Sequence, residues 1–252
     1  GEMTALSGPN GSGKSTLLNL LSGMLKSKQG EILYLGGKIP AGSAAISRVV
    51  AYLPQENPLL PELSVRDNLA LFSGRREGVS EEFIREFSLE ELLPLRVKKL
   101  SGGMKRRIGI AQAILNDLEI LILDEPTAGL DPKERVRFRN IISALSKDRI
   151  VILSTHIVSD IESIANRVVM IKDKHLYKND TVTAICSELD GCVFETSVTD
   201  SEYAEFEKKY LVLSARQERD GMTVRYYSDS KTDFDARECT PNLEDVFLVT
   251  YR

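Results

Sequence analysis

Short apolar runs alternate with amphipathic segments along residues 1–187. Continuous apolar runs bounded by turn residues are typical of strands buried in a parallel sheet. Ile120–Leu123 is the clearest of these runs, and Pro54 ends another. The pattern predicts strands at Thr4–Leu6, Glu31–Leu35, Val49–Leu53, Ile120–Leu123, Ile150–Leu153 and Val168–Ile171.

Helical periodicity fills the segments between these strands. Met104, Ile108, Ala111 and Leu115 are spaced by four, three and four residues, which places them on one helical face after Ser101. Helices are also predicted from Lys14, over residues 64–98 with Ser64 as N-cap, over 132–147 and over 159–166. Strands that alternate with helices predict an α/β fold with a mainly parallel sheet.

The composition changes after about residue 187, which predicts a domain over residues 1–187 and a small α+β appendage over 188–252. Within the first domain, residues of about 64–115 form a predicted helical subdomain. The appendage pattern gives strands at Val193–Val198, Leu211–Gln217 and Met222–Tyr227, helices at Ser201–Tyr210 and Leu243–Val249, and a turn at Asp220-Gly221.

Composition narrows the functional classes. Hydrophobic residues make up 42% of the 252 residues, which argues against disorder. The net charge of −4 disfavours nucleic-acid binding. No apolar run approaches the roughly 18–20 residues that span a bilayer, so direct membrane insertion is not expected and a membrane role needs a partner. Three cysteines, odd in number and without metal spacing, indicate free thiols in a reducing, cytosolic compartment.

A glycine-rich segment between the first strand and the first helix fits the pattern G-x-x-x-x-G-K-[ST]. Glycines let successive backbone N–H groups point at phosphate oxygens, and the following helix adds its positive N-terminal dipole. Lys14 would reach the β- and γ-phosphates, and the Ser15 hydroxyl would bind Mg²⁺. The predicted phosphate loop consists of Gly8, Pro9, Asn10, Gly11, Ser12, Gly13, Lys14 and Ser15.

Two acids, Asp124 and Glu125, end the buried strand Ile120–Leu123. Ligands bind at the carboxyl ends of parallel strands, so both acids are expected to face the phosphate loop. Asp124 suits the Mg²⁺ shell, and Glu125 could act as general base for an attacking water. The alternative is an acidic strand terminus in solvent.

Further polar groups follow other strands. Gln55 could contact Mg²⁺ and the attacking water, and His156 could bind the γ-phosphate and orient Glu125. Ser101, Gly102 and Gly103 open a helix as a capped anion site. Taken singly, Gln55 could be a surface residue and His156 a structural one. The basic residues around this helix start, Lys98, Lys99 and Lys105–Arg107, could steer anions or form a solvated helix face.

These motifs, in this order, resemble the ATP-binding cassette (ABC) family. Gly8–Ser15 is similar to its Walker A motif, Gln55 to its Q-loop and His156 to its switch histidine. Leu100–Met104 resembles the signature motif, with Met104 where glutamine is commoner, and Ile120–Asp124 resembles Walker B followed by the catalytic Glu125. Ala128-Gly129-Leu130-Asp131 resembles the D-loop.

The resemblance implies a P-loop NTPase fold that hydrolyses ATP with Mg²⁺. Glu125, His156, Gln55 and Lys14 would be catalytic. Ser15, Gln55 and Asp124 would bind the metal. The nucleotide would contact the phosphate loop, Thr16 and, across a dimer with a second cassette, Ser101, Gly102, Gly103 and Asp131. The partner would be an integral membrane permease, with this chain peripheral on the cytoplasmic face of the membrane.

The tail Thr240–Leu248 resembles bacterial exporter cassettes that work with a separate permease. Two alternatives remain at this point: an importer cassette, and a nucleotide-gated binding module with negligible turnover. Only Gly1–Ser7 precede the phosphate loop, where the family carries antiparallel strands and an aromatic residue that stacks on adenine. We therefore expect either an excised piece of a longer chain or a cassette without that adenine platform.

Overall fold

The computed structural model describes residues 1–40, 43–73, 79–219, 221–229 and 235–252. The predicted turn residue Asp220 and residues 74–78 of the predicted helical subdomain lie outside these ranges. The strands are β1 (Glu2–Ser7), β2 (Leu33–Tyr34), β3 (Gly37–Lys38), β4 (Val50–Leu53), β5 (Ile120–Asp124), β6 (Ile150–Ser154), β7 (Arg167–Lys172), β8 (His175–Asp180), β9 (Val193–Val198), β10 (Leu211–Glu218), β11 (Gly221–Tyr227) and β12 (Arg237–Glu238). The helices are α1 (Lys14–Leu21), α2 (Val65–Ser73), α3 (Glu81–Glu86), α4 (Gly102–Ile114), α5 (Pro132–Leu145), α6 (Val158–Glu162), α7 (Val182–Ser187), α8 (Asp200–Lys209) and α9 (Leu243–Thr250).

The described residues form a main sheet of strand order β4-β5-β6-β1-β7-β8. All neighbours in it pair parallel except β7 and β8, which form an antiparallel hairpin. Every residue of β5 is buried, because helices cover both faces of the sheet there. The predicted α/β fold with a mainly parallel sheet is confirmed.

This sheet also positions the candidate site. Strands β4, β5, β6 and β1 are parallel neighbours, so their carboxyl ends meet at one edge. The chain leaves these ends into the Gln55 loop, Asp124–Glu125, His156 and the phosphate loop. The predicted residues are thereby brought to a common edge although they lie far apart in sequence.

Several predicted elements are shorter than expected. The strand predicted at Glu31–Leu35 contains only β2, because Leu35 and Gly36 adopt left-handed turn conformations that lead into β3. The helix predicted over 159–166 ends at Glu162, and Asn166 instead accepts a hydrogen bond from the Met3 amide through its side chain.

Helix α7 was not predicted at all.

The predicted helical stretch over 64–98 is divided. It contains α2, α3 and a 3₁₀ turn at Val97–Lys99, and Ser88 with a φ of 46° ends the turn after α3. The predicted cap is present, since the Ser64 hydroxyl accepts a hydrogen bond from the Asp67 amide. In α4 the predicted apolar face holds at Ile108 and Ala111 but is wrong at Met104, which is 37% exposed.

The C-terminal residues form a second, antiparallel sheet of order β10-β11-β9-β12 in the described ranges. Phe194, Phe206 and Tyr226 pack with Val198 and Val224 into its own small core. Helix α9 instead returns to the main core, where it packs against α6 and α7. The boundary at residue 187 stays a prediction.

No helix in the described part of the chain combines the length and the hydrophobicity needed to cross a membrane. The three cysteines, Cys186, Cys192 and Cys239, are free thiols.

Candidate functional site

The phosphate loop curls between β1 and α1 and borders an open cleft of about 440 Å³. Gly13 adopts a φ of 105°, a left-handed conformation that glycine tolerates best. A side chain at Gly8 would place its Cβ 2.7 Å from the Ile171 carbonyl oxygen, so glycine is required there by close backbone approach. The cleft is lined by Asn10, Gly11, Gly13, Lys14, Ser15, Thr16, Gln55, Glu125 and His156.

Lys14 is buried beneath this loop. Its Nζ donates hydrogen bonds to the carbonyl oxygens of Gly8 at 2.7 Å and Pro9 at 3.1 Å. Burial lowers the pKa of Lys14, and the charges of Glu125 and Asp124 oppose that shift. The amine is thus held at the base of the cleft, where it could meet a phosphate.

Ser12 gives an independent sign of an anion site. Its hydroxyl is buried and has no hydrogen-bond partner among the described residues. A buried hydroxyl without a partner is costly in a folded protein, so the group suits a ligand that supplies one. A phosphate oxygen held by the surrounding loop fits this need.

Asp124, at the end of β5, faces the first turn of α1. The Ser15 hydroxyl lies 3.3 Å from Asp124 Oδ1, which also accepts a 2.5 Å hydrogen bond from the Ser154 hydroxyl. Hydroxyl and carboxylate oxygens are ligands that Mg²⁺ prefers. The predicted pair Ser15 and Asp124 is therefore brought together, and its oxygen donors fit that ion.

Glu125 and His156 form a direct pair at the edge of the cleft. His156 Nδ1 lies 2.8 Å from Glu125 Oε2, across the gap between the ends of β5 and β6. The glutamate is buried, whereas the histidine side chain is 53% exposed toward solvent. One carboxylate oxygen is therefore oriented by the imidazole, as a general base would need to be.

The backbone at Glu125 is strained, with a φ of 46°. The Glu125 amide donates a 2.9 Å hydrogen bond to the Ser154 hydroxyl, which in turn donates to Asp124. Ser154 thus fixes both acids through one side chain. Ser154 lies one residue beyond the predicted strand Ile150–Leu153, and no function was predicted for it. Its position at a strand end is the only sequence feature that could have indicated a role in the site.

Gln55 follows β4, and its side chain lines the cleft. It is exposed and lines the same cleft as Glu125 and His156, as the parallel sheet predicts. The resemblance assigned it to the metal and to catalysis, and its position in the cleft is compatible with both.

Other predicted nucleotide contacts lie apart from this cleft. The Ser101 hydroxyl caps α4 by accepting a 3.2 Å hydrogen bond from the Met104 amide, and Ser101 and Gly102 are exposed. Asp131 caps α5 by accepting a 2.9 Å hydrogen bond from the Glu134 amide. Neither cap lines the cleft of its own chain. Pro9, another predicted contact, is exposed, and its carbonyl oxygen accepts a hydrogen bond from Lys14.

Comparisons with known proteins agree with this site. Residues 1–128 match the family profile described as ABC transporter. The chain is 33% identical to Nod factor export ATP-binding protein I of Rhizobium etli over 267 residues, covering 98% of this chain and 84% of that protein. It is 35% identical to the protein of the same name from Paraburkholderia xenovorans, covering 98% of this chain and 87% of that one.

Solved structures give the same result. The chain is 30% identical to a protein titled as the ATP binding subunit of an ABC transporter, with a TM-score of 0.66 over 75% of this chain and 82% of that one. A dimeric ATP-binding cassette in a post-hydrolysis state with ADP and Pi shares the fold, with a TM-score of 0.63 at 24% identity over 71% of this chain and 85% of that one.

The chain belongs to the ABC transporter family. It is an ATP-binding cassette with ATPase activity, of the exporter branch that its tail predicted. The predicted family, fold and enzyme class are thereby confirmed, and neither the importer nor the binding-module alternative is favoured.

Proposed function

We propose that this chain hydrolyses ATP in the described cleft by attack of water on the γ-phosphate, with Glu125 as general base. The pair of Glu125 and His156, 2.8 Å apart at the cleft edge, is the observation that carries this proposal. His156 orients the carboxylate and meets the γ-phosphate, and Gln55, which lines the same cleft, positions the water.

The phosphate loop and its neighbours supply charge and donors. Lys14, whose amine is held at the base of the cleft, binds the β- and γ-phosphates, and the Ser12 hydroxyl gains a partner there. Ser15, Asp124 and Gln55 hold Mg²⁺. When bound, Mg²⁺ offsets the negative charge of the phosphates.

A second cassette completes the nucleotide site. The start of α4 at Ser101 and Gly102 is exposed and lies away from the cleft of its own chain, which supports an anion contact in trans. Asp131 lies at a comparable helix start and joins that contact surface. ATP then bridges two chains, and hydrolysis separates them.

The chain transmits this motion to a membrane permease. Large apolar side chains are exposed on the helical subdomain and just before it, which supports a protein contact there. Leu71, Phe72 and Leu95 belong to the subdomain, and Leu60 precedes it. The chain is then peripheral on the cytoplasmic face of the membrane. The named relatives serve Nod factor export, which supports an export cargo in this system as well.

The experiment is phosphate release with Mg-ATP from the purified chain, compared with Glu125→Gln. We expect the variant to lose turnover by at least about a hundredfold, because glutamine cannot accept the proton of the attacking water. ATP binding, measured separately, is expected to stay within roughly threefold, since Lys14 and the loop are unchanged.

Glu205→Gln, an exposed acid on α8, is the matched control and should keep full activity. Normal turnover by Glu125→Gln would remove Glu125 from the role of base. Phosphate release that is unchanged by chelation of divalent cations would contradict the Mg²⁺ site.

A further inference from the structure

Arg106 is a buried cation on helix α4. It follows the predicted anion site at Ser101–Gly103 by about one helical turn, and it is only 6% exposed. The interpretation of Lys105–Arg107 as a solvated or anion-steering basic face is therefore wrong for Arg106. Its side chain is shielded from bulk solvent and does not itself line the cleft.

The guanidinium is bound to two separate loops of the site. Its Nη1 donates hydrogen bonds to the carbonyl oxygens of Pro54 and Gln55, each at 3.0 Å. Its Nε donates to Pro126 at 3.0 Å, and its Nη2 donates to Asp124 at 2.5 Å. One side chain thus joins α4 to the loop after β4 and to the strand end after β5.

The acceptors are main-chain carbonyls of the segments that carry Gln55, Asp124 and Glu125. Arginine has five donors in a planar, rigid fork, so it can fix the relative position of several acceptors at once. Lysine has three donors on one nitrogen and cannot reproduce this fork. The Arg106 guanidinium therefore fixes the positions of the two loops relative to each other, and no other common side chain has the donors to replace it.

The charge of Arg106 also matters for the two acids. Burial lowers the pKa of Arg106 to about 10, while the charges of Asp124 and Glu125 act in the opposite direction. The guanidinium stays protonated at neutral pH and interacts favourably with both carboxylates. Its burial cost is offset by the carbonyl hydrogen bonds and by these charges.

We propose that Arg106 is a positioning residue for ATP hydrolysis, which makes the placement of Gln55, Asp124 and Glu125 depend on the position of helix α4. Because α4 begins at Ser101, a contact made at that helix start reaches both loops through one rigid group. This inference rests on the proposed roles of Gln55, Asp124 and Glu125. Arg106 itself touches neither the cleft nor its contents.

The test separates positioning from simple stabilisation. Arg106→Lys keeps the charge, and Arg106→Gln keeps two donors without it. For both, kcat is expected to fall by about tenfold or more, because misplacing reacting groups by an ångström can cost up to about a hundredfold. Directly measured Mg-ATP affinity is expected to stay within roughly threefold of the parent value.

Two further variants serve as controls. Lys105→Gln removes the neighbouring charge, and Ile142→Val weakens the fully buried face of α5 without touching the two loops. Both are expected to keep kcat, and Ile142→Val is expected to lower the melting temperature. Positioning is supported if the Arg106 variants lose kcat while Ile142→Val, at a comparable fall in melting temperature, keeps it.

The opposing outcomes are equally definite. Parent-like kcat in Arg106→Lys overturns the proposal, as does a loss of ATP affinity equal to the loss of kcat. Failure of both Arg106 variants to fold would make the residue structural and overturn it too. Normal turnover by Glu125→Gln would instead refute the proposed site itself, so the two failures can be told apart.

Discussion

At the scale of residues, the site depends on one serine that holds two acids. Ser154 is fully buried between Asp124 and Glu125 and bonds to both. The left-handed backbone at Glu125 costs about 1–3 kcal/mol and persists only where its surroundings stabilise it. The hydrogen bond to the Glu125 amide is part of that support.

Ser154→Ala should therefore lower both stability and turnover. The Glu125 amide and Asp124 Oδ1 each lose a partner, which should reduce the free energy of unfolding by about 1–3 kcal/mol. Urea denaturation measures the stability, and phosphate release the activity. Ser47→Ala, at an exposed serine, is the control and should change neither. A variant with full turnover would show that Ser154 does not place Glu125.

At the scale of elements, serine hydroxyls cap the starts of helices α3 and α4. The Ser101 hydroxyl caps α4, and the Ser80 hydroxyl caps α3 by accepting a 3.3 Å hydrogen bond from the Phe83 amide. Each cap stabilises its helix by about 1 kcal/mol. The two helices differ in their packing, since α4 packs into the main core whereas α3 has no fully buried residue.

Ser101→Arg should block the ATP-dependent dimer while ATP still binds to the single chain. The bulky cation would occupy the surface proposed to meet the phosphate of the second cassette. Sedimentation of the variant in a Glu125→Gln background with Mg-ATP measures the dimer. Ser80→Arg loses a comparable cap and should still dimerise. A dimer formed by Ser101→Arg would exclude the contact in trans.

Helix α7 packs against α9 and buries Cys186. Burial, and then the charges of Glu162, Asp245 and Asp190, raise the pKa of Cys186 to about 11. Because a thiol reacts as its thiolate, only roughly one molecule in a thousand is reactive at pH 8.

Iodoacetamide should accordingly label Cys186 much more slowly than the half-buried Cys192 and Cys239. Below pH 11 the rate should rise about tenfold per pH unit, since the thiolate fraction does. Mass spectrometry of the labelled peptides follows each site. Equal rates at the three cysteines in the folded chain would show that Cys186 is not buried there.

At the scale of the whole molecule, α9 ties the C-terminal sheet to the cassette. The Leu243 amide donates to Glu162 Oε1 on α6 at 3.1 Å, and Lys172 Nζ donates to the Thr250 carbonyl at 2.7 Å. On the other side, Arg225 of β11 binds Asp245 of α9 at 2.6 Å, a pair that is largely buried. The helix therefore connects the C-terminal sheet to the segment that follows His156.

Specific ATPase activity of the whole chain should rise with protein concentration. A site completed by a second cassette is populated only as chains associate, so dilution removes active sites by mass action. Phosphate release over a dilution series measures this, with Glu125→Gln as the inactive blank. A specific activity independent of concentration, with the chain monomeric by sedimentation, would contradict the shared site.

The sequence by itself determined the phosphate loop, the main strands and the acids at the end of β5. These features are local, since glycines, apolar runs and a strand terminus are read within a few residues. Parallel strands align their carboxyl ends, so the convergence of Gln55, Glu125 and His156 was also predictable.

Only the tertiary structure decided which neighbours these groups meet. The burial of Arg106 and the double role of Ser154 depend on packing between segments distant in the chain, as does the return of α9 to the main core. A basic residue within a basic run has the same local pattern whether it faces solvent or two loops. The direction in which the Arg106 side chain points is set by how α4 packs against the sheet. The sequence of the helix alone does not determine that packing.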